Sequence, residues 1–432
     1  MPKSNFKPPK INLLMTGDEL VYGDTVDSNS AYIGRMLGNA GFYVSKKIVV
    51  GDHLASIVDE ITNLSLTSDV VIVNGGLGPT EDDLSAEAAA LASGQPLVKN
   101  KVAEKHLFSK VGKQSELNSA QLKQAILPEK AEVIANLKGS AVGFALKLNQ
   151  ALFLFTPGVP LELYDMMEKS VLPQIKALYA NVKPVTIYRW MCFGSGESFL
   201  QATIDEKFDK NLLRQFKLGF CAKGPYVEIK FAEQGEYVHD TFVLLDEQLR
   251  RLFGDAILSS QSVDLAHEVI AVLNEKNKKL GVCESCTGGL LSSRLIAVPG
   301  ASRVVQFGIV TYSNQSKCEL VGVTESALGQ YGAVSREVAE EMVQGVLKFE
   351  GVDFSIGITG IAGPDGGTEE KPVGTVWIAW GNSAKINSRK FVFCGERDRV
   401  QLLAAETALD LLRLFLKESL AKTPYYFDQL SR

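Results

Sequence analysis

The chain has 432 residues, of which 46% are hydrophobic and 22% are charged. This balance is typical of a globular protein, and it excludes a disordered tail protein, a coiled-coil rod and a collagen-like repeat. A net charge of −5 argues against a dominant nucleic-acid-binding surface. At roughly 150 residues per domain, the length predicts two to three domains.

The first third of the chain alternates strand and helix. Short apolar or β-branched runs predict strands over residues 11–15, 44–50 and 70–73. Between them, helices with one apolar face are predicted from Ser30 onward and around Ile57. Because strand and helix alternate up to a glycine-rich loop, we expect a doubly wound α/β domain.

That loop, GGLGPTEDD at residues 75–83, is the first candidate ligand site. Glycines at the end of a parallel strand let backbone amides approach a phosphate. The adjacent carboxylates Asp82 and Asp83 would repel a bare phosphate, whereas a divalent cation would bridge them to it. The alternative is a helix cap without a ligand, because Thr80 and Asp83 have the spacing of a capping box.

The middle of the chain indicates a small α+β unit. Strands are predicted over 185–193 and 226–232, since apolar and polar residues alternate in the second of them. Helices are predicted over 197–208 and 239–253. A polar linker is predicted at residues 259–264.

From about residue 265 the alternating pattern returns and predicts a second α/β domain. Its strands are expected over residues 279–283, 355–359, 373–380 and 390–393. Helices are expected over 265–273, from Ser335, and along the final stretch from Val400 to Leu414. The glycine-rich loop from Thr359 to Gly367 follows a buried strand, where such folds commonly hold a ligand; the alternative is a flexible turn.

A second candidate site, CESCTGG at residues 283–289, lies between a strand and a helix. Cys283 and Cys286 have redox or metal-site spacing, but the sequence has no second Cys-x-x-Cys and no histidine close by. Alternatively, Ser285, Cys286 or Thr287 is a nucleophile whose neighbouring amides form an oxyanion hole. A plain helix cap followed by packing glycines is the third possibility.

Tyr312 and Lys317 bracket the next strand end and helix start. A partly desolvated Lys317 would act as general base to a serine, although lysines are usually solvated surface residues.

Seven motifs in order resemble the competence/damage-inducible CinA family along essentially the whole chain: GGLGPTEDDLS, ESCTGG, VPGAS, TYSNQSK, GAVS, TGIAGPDGGTEEKPVGTV and GERDR. The resemblance implies two separate three-layer α/β domains joined by a small α+β KH-like domain. The expected parts are a molybdopterin-binding (MoaB/Mog-like) domain over 1–170, the KH-like domain over 171–258 and a nicotinamide mononucleotide deamidase domain over 264–432.

The resemblance also implies roles for particular residues. In the C-terminal domain Ser285 is the expected nucleophile, Lys317 its base and Tyr312 an assisting hydrogen-bonding group. Arg397 would hold the substrate phosphate, and the other expected substrate contacts are Thr287, Gly288, Ser302, Thr359 and Gly360. In the N-terminal domain Gly75, Gly76 and Gly78 are expected at the substrate and Asp82 and Asp83 at the metal, with Glu19, Asn29 and Asp52 as weaker candidates.

The implied activities are deamidation of nicotinamide mononucleotide without a cofactor and hydrolysis of ADP-ribose with a divalent cation. A homodimer is also implied. Six cysteines are too few for a disulfide scaffold, and no apolar run has the length of a signal peptide or membrane span, so we expect a cytoplasmic protein without a membrane partner. The alternative is a non-catalytic nucleotide-binding or competence and DNA-damage regulatory protein, although Gly194-Ser195-Gly196 lacks the Gly-x-x-Gly spacing of nucleic-acid-binding KH loops.

Overall fold

A computed structural model of the chain describes residues 8–111, 118–233, 241–259, 263–419 and 425–427. The chain forms two compact units, Met1–Thr186 and Ile187–Arg432. The three-part division at 1–170, 171–258 and 264–432 stays a prediction. No helix among the described residues is long and apolar enough to cross a membrane.

The first unit contains a six-stranded and a two-stranded sheet. Its strands are β1 (Ile11–Thr16), β2 (Val44–Val50), β3 (Val70–Asn74), β4 (Leu97–Lys99), β5 (Ile126–Pro128), β6 (Glu132–Ile134), β7 (Gly143–Leu148) and β8 (Ala151–Thr156). Its helices are α1 (Asp18–Val21), α2 (Ser28–Asn39), α3 (Leu54–Thr67), α4 (Ser85–Ser93), α5 (Lys101–Val111), α6 (Ser119–Lys123), α7 (Pro160–Met166) and α8 (Leu172–Leu178), the last two joined by a π-helical segment.

The large sheet has the strand order β2-β1-β3-β8-β7-β6. Strands β2, β1, β3 and β8 are parallel, so their carboxyl ends meet at one edge, where Asn74 pairs with Met15 on one side and Thr156 on the other. Along β1, Leu13 faces one hydrophobic core and Leu14 the other, because successive side chains of a strand point to opposite faces. The predicted three-layer α/β domain is confirmed.

The second unit begins with the antiparallel sheet β10-β11-β9, formed by β9 (Ile187–Phe193), β10 (Phe216–Lys223) and β11 (Tyr226–Glu233). The predicted alternation in β11 is confirmed, since Ile229 and Phe231 are buried against the helices α9 (Glu197–Lys207) and α11 (Thr241–Phe253), with the short α10 (Lys210–Leu213) between them in the chain. His239, where a helix was expected to begin, and part of the predicted linker at 259–264 lie outside the described residues.

The rest of the second unit is another α/β domain. Its strands are β12 (Leu280–Glu284), β13 (Val305–Val310), β14 (Phe354–Gly360), β15 (Thr375–Asn382) and β16 (Lys385–Val392), in the order β13-β12-β14-β15-β16. Its helices are α12 (Leu265–Glu275), α13 (Leu290–Ile296), α14 (Asn314–Val321), α15 (Glu325–Tyr331), α16 (Arg336–Leu347) and α17 (Arg397–Leu416).

Helices cover both faces of this sheet. Helices α12, α13 and α17 pack on one face, and α16 packs on the other. Strands β13, β12 and β14 are parallel, whereas β15 and β16 run antiparallel. The carboxyl ends of β12, β13 and β14 therefore meet at one edge, and the loops that follow them bring distant parts of the sequence together.

Candidate functional site

Ser285 lies directly after β12, at the carboxyl edge of the second α/β sheet. Its backbone N–H donates to Ile358 O of β14 at 2.9 Å, which continues the sheet pairing by one residue. The chain then turns sharply through Gly288 and Gly289, whose φ angles of 62° and 97° favour glycine. Ser285 is 8% exposed, so the residue keeps a small solvent-accessible surface.

Lys317 reaches Ser285 from α14, the helix that follows β13. Its Nζ lies 3.0 Å from Ser285 Oγ and donates to Thr311 O at 2.7 Å. The side chain is 1% exposed and has no carboxylate partner among the residues that the structure describes. Burial lowers the pKa of Lys317 below its usual value, because water no longer stabilises the ammonium form. A lysine of this kind can accept a proton from the adjacent hydroxyl.

The other candidate nucleophiles are less suited to the reaction. Burial raises the pKa of Cys286 to about 12 and that of Cys283 to about 11, so both stay protonated thiols near neutral pH. Thr287 is 2% exposed, and no hydrogen-bond partner of its Oγ1 lies in the described part of the chain.

The redox and metal alternatives for the cysteine pair find no support. Cys283 and Cys286 are free thiols, and Cys283 Sγ lies 3.3 Å from Thr311 Oγ1. Across the described ranges, no three His, Cys, Asp or Glu side chains form a group that could hold a metal ion.

Two backbone amides of the serine loop are available to stabilise a negative charge. The N–H of Gly288 donates to Ser285 O at 3.1 Å, and that of Gly289 donates to a Glu284 carboxylate oxygen at 3.0 Å. Within the described residues, no acceptor is seen for the N–H group of Thr287, and that of Cys286 meets only the sulfur of its own side chain. These two amides are therefore candidates for an oxyanion hole beside Ser285.

Arg397 lines a cavity of about 600 Å³ next to the serine loop. Its Nη1 donates to Gly363 O at 2.8 Å and its Nη2 to Tyr312 Oη at 3.1 Å. Arg397 is exposed, and Tyr312 is 64% exposed, so both can meet a ligand. Tyr312 was expected to assist Ser285 and Lys317 by hydrogen bonding. In this structure its hydroxyl instead accepts the hydrogen bond from Arg397. Among the residues that the structure describes, three of the five guanidinium N–H groups of Arg397 have no acceptor and remain for an anion.

The other residues that were expected to contact the substrate do not all lie near Ser285. Thr359 follows Ile358, the partner of Glu284 in the β12–β14 pairing, and its Oγ1 donates to Ala333 O at 2.8 Å. A Cβ at Gly360 would lie 2.7 Å from Val376 Cγ2, so this glycine is required by packing against β15. The structure does not bring Ser302 to the site. It precedes β13, whose six residues span about 20 Å, so Ser302 lies at the opposite edge of the sheet.

Gln401 is a site residue that the sequence analysis missed. Its Nε2 donates to Cys286 O at 2.6 Å, and its side chain lines the same cavity as Arg397. The spacing of Arg397 and Gln401 contains the signal, because residues four apart lie on one face of a helix.

In the first unit, the glycine loop after β3 is shaped by close contacts. Gly75 and Gly76 have φ angles of 113° and 66°, and Ser85 Oγ donates to Gly75 O at 2.8 Å. A Cβ at Gly78 would lie 2.5 Å from Asp83 Oδ2. That oxygen accepts the N–H of Thr80 at 2.8 Å. Because α4 begins only at Ser85, the predicted capping box is wrong: Thr80 and Asp83 close a turn within the loop.

This loop lines a cavity of about 410 Å³ together with the carboxylate residues Glu19, Asp52, Asp82, Asp83 and Glu162. Burial raises the pKa of Asp52, and the negative charges of Asp18, Glu19 and Asp82 raise it further. Asn29 is not one of the residues that line the cavity, and its Nδ2 donates to Asn74 Oδ1 and Gly158 O.

Glu162 is a cavity residue that the sequence analysis missed. It belongs to the first turn of α7, and one carboxylate oxygen accepts a 2.7 Å hydrogen bond from the fully buried Asn136. Nothing in the local sequence indicates this contact, because the two residues are 26 positions apart.

The carboxylates of this cavity suit a cation that is shared with a substrate. The described residues offer no group of three side chains that could hold a metal ion alone. Magnesium-type sites commonly use one or two carboxylates plus phosphate oxygens. The crowding of negative charge around Asp52 fits such an arrangement, because a cation would relieve it.

Comparison with known proteins gives independent evidence of the family to which this chain is related. Residues 12–177 match the family described as "Probable molybdopterin binding domain", and residues 262–416 match "CinA C-terminal domain". A CinA-like protein of Colwellia psychrerythraea is 40% identical over 425 residues, 98% of each chain. A CinA-like protein of Shewanella amazonensis is 41% identical over 409 residues, 94% of this chain and 95% of that one.

Among solved structures, a competence-damaged protein (CinA) superfamily protein from Klebsiella pneumoniae is 34% identical to this chain. The match covers 36% of this chain and 96% of that one, with a TM-score of 0.35.

Proposed function

This chain belongs to the CinA family, and from the geometry of its sites we propose that its C-terminal α/β domain deamidates nicotinamide mononucleotide. The observation that carries the proposal is the 3.0 Å contact between the buried Lys317 Nζ and Ser285 Oγ. A serine paired with a desolvated lysine is a nucleophile–base arrangement suited to acyl transfer. The products would be nicotinate mononucleotide and ammonia.

In the proposed reaction, Ser285 Oγ forms a bond with the carboxamide carbon while Lys317 Nζ takes the hydroxyl proton. The N–H groups of Cys286 and Thr287 stabilise the oxyanion. The carbon–nitrogen bond then breaks, and Lys317 passes the proton to the amine, which leaves as ammonia. Water attacks the resulting ester, Lys317 takes its proton, and this proton returns to Ser285 Oγ as the acid departs.

Arg397 supports the choice of a nucleotide as substrate. Its guanidinium is held by Gly363 and Tyr312 with donors left over, and an arginine fork pairs well with phosphate oxygens. Gln401 links the same cavity to the serine loop through Cys286 O. A ligand with a phosphate at one end and a carboxamide at the other would therefore be held at both ends.

Ammonia release by the full chain tests the proposal. We expect saturable release from nicotinamide mononucleotide by the unsubstituted protein and none above background by Ser285→Ala. Ser293→Ala is the matched control, because Ser293 is an exposed serine of α13 and should retain activity. Activity retained in Ser285→Ala would assign the nucleophile to another residue, and no release by the unsubstituted protein would refute the deamidase proposal.

For the N-terminal domain, we propose metal-dependent hydrolysis of the pyrophosphate of ADP-ribose. The supporting observation is the cavity that places the glycine loop beside Asp52, Asp82 and Asp83. The loop amides and the amino end of α4 would hold phosphate oxygens. A divalent cation held by Asp82 and Asp83 would neutralise phosphate charge.

Release of AMP from ADP-ribose by the full chain tests this second activity. We expect Asp82→Asn to lower the rate by about 100-fold, the size typical of losing one electrostatic contact to a reacting group. Glu81→Gln is the matched control, because Glu81 is exposed on the same loop but does not line the cavity. Equal rates for the two variants would contradict the role of Asp82. Tight binding of ADP-ribose without turnover would favour the regulatory alternative.

A further inference from the structure

Glu284, the last residue of β12, has a carboxylate with four hydrogen bonds to the segment that follows it. One oxygen accepts the N–H groups of Gly289 at 3.0 Å and Leu291 at 3.1 Å. The other accepts the N–H of Ser292 at 2.8 Å and its Oγ at 2.6 Å. The side chain is fully buried.

The carboxylate accepts the N–H groups of Leu291 and Ser292 in the first turn of α13, as a helix cap does, but it does so from an unusual place in the chain. A capping side chain belongs to the residue at the helix start and bonds two or three positions onward, whereas Glu284 lies six residues before α13 begins at Leu290. An ion pair does not explain the carboxylate, because the described residues place no Lys or Arg against it. A buried carboxylate without a counter-charge is costly unless hydrogen bonds replace its water. Its contacts instead join the two ends of the loop that carries Ser285.

The backbone of the same residue holds the other half of the catalytic pair. Glu284 O accepts the N–H of Thr311 at 2.8 Å. Thr311 is fully buried, and its own carbonyl accepts the hydrogen bond from Lys317 Nζ at 2.7 Å. Glu284 therefore contacts both parts of the pair. Its carboxylate bonds to the serine loop, and its carbonyl bonds to Thr311, whose own carbonyl holds Lys317.

We propose that Glu284 is the positioning residue of the Ser285–Lys317 pair. Its carboxylate draws the amides of Gly289, Leu291 and Ser292 together, which sets the turn after Ser285 and leaves the amides of Cys286 and Thr287 outside these hydrogen bonds. Its carbonyl fixes the Thr311 segment that aims Lys317. This inference rests on the proposed deamidase function, but it concerns the reactivity of Ser285 and can be measured without the natural substrate.

The test is the rate at which a fluorophosphonate labels Ser285 in the full chain. Ser285 Oγ bonds to phosphorus, fluoride leaves, and Lys317 takes the hydroxyl proton. Glu284→Gln replaces one acceptor oxygen with an NH₂ group, which faces backbone N–H donors. We expect labelling to slow by about 100-fold, with kcat for ammonia release reduced equally and KM nearly unchanged, because the lost interaction orients the reacting groups.

Glu268→Gln is the matched control. Glu268 is also a buried glutamate of this unit, 1% exposed, but it binds Arg413 and the Ser259 amide, away from the serine loop. Both variants should lower thermal stability, and only Glu284→Gln should slow labelling. Should Glu284→Gln fail to fold, Ser292→Ala removes a single bond to the carboxylate, and we expect labelling to slow by about 3- to 10-fold, the equivalent of one hydrogen bond.

The outcomes separate this inference from the proposed function. Slower labelling in Glu284→Gln or Ser292→Ala but not in Glu268→Gln supports the positioning role, even if nicotinamide mononucleotide is not turned over. The positioning role is overturned if both Glu284→Gln and Ser292→Ala label at the unsubstituted rate. It is also overturned if Glu284→Gln does not fold and Ser292→Ala labels at the unsubstituted rate. Equal slowing in Glu284→Gln and Glu268→Gln also overturns it, since the effect would then reflect stability alone.

Discussion

Replacing Lys317 by methionine removes the titrating amine while keeping a side chain of similar length. In the folded protein Lys317 is 1% exposed, and the partners of its amine within the described residues are two uncharged groups, Ser285 Oγ and Thr311 O. Burial lowers its pKa from the usual 10.5. The substitution therefore relieves the cost of burying an ammonium group and removes two hydrogen bonds.

The sign of the effect follows from proton counting. Between the folded pKa of Lys317 and 10.5, the unfolded chain holds more protons at this residue than the folded chain. The free energy of unfolding of the unsubstituted protein then rises with pH, by at most about 1.4 kcal/mol per pH unit. Lys317→Met lacks this contribution. The free energy of unfolding of Lys317→Met, relative to the unsubstituted protein, is therefore highest below the folded pKa of Lys317. The difference falls by that slope as the pH rises to 10.5. The lost hydrogen bonds add a constant offset of about 1 kcal/mol each.

Urea unfolding followed by tryptophan fluorescence measures this difference in the right part of the molecule. All three tryptophans, Trp190, Trp377 and Trp380, belong to the second unit, which also contains Lys317. Subtracting the two proteins at each pH cancels the titration of the other groups. A difference that stays constant from pH 7 to about pH 10.5 would refute a desolvated Lys317, and with it the role of this residue as a general base.

The same structure makes further predictions. The kcat for ammonia release should rise with pH until the folded pKa of Lys317 is passed and then level off, because the neutral amine is the base; a pH-independent kcat would contradict this. Cys286→Ala should keep kcat within about 3-fold, and Cys286 should resist iodoacetamide at neutral pH, since its pKa of about 12 leaves almost no thiolate. Arg397→Ala should raise KM for nicotinamide mononucleotide by about 10- to 100-fold with little change in kcat, the equivalent of one charged hydrogen bond; a lower kcat at constant KM would place Arg397 elsewhere in the reaction. EDTA should stop AMP release from ADP-ribose and spare ammonia release, and loss of both activities would contradict separate sites.

Much of the fold is visible in the sequence because buried strands leave a strong local pattern. The run from Val70 to Val73 is fully buried in β3, and the alternation in β11 matches the face that buries Val227, Ile229 and Phe231 in one core. Strand β16 was predicted only over residues 390–393, whereas it begins at Lys385. Its first six residues, KINSRK, are mostly polar, so local hydropathy does not reveal that they pair with β15 as one arm of a hairpin.

The candidate site also combines features that the sequence reveals with features that it does not. Ser285 and Lys317 were expected together on residue type and family resemblance, and the parallel pairing of β12 with β13 accounts for their contact. The complete burial of Lys317 has no local signal, because lysines are usually exposed. Ser302 was placed at the site by its motif, but it precedes β13 and therefore lies at the other edge of the sheet. Ser302 is therefore kept away from the site by its position before the strand, and not by its residue type.

Trapping with hydroxylamine tests most directly whether Ser285 forms an ester with the substrate. Hydroxylamine competes with water for such an ester and converts it to a hydroxamate, whereas direct attack of water on the carboxamide leaves no ester to trap. With nicotinamide mononucleotide and the full chain, we predict that hydroxamate replaces nicotinate mononucleotide as hydroxylamine increases, and that Ser285→Ala forms neither product. Ammonia release without any hydroxamate, or hydroxamate formation by Ser285→Ala, would contradict the role of Ser285 as nucleophile.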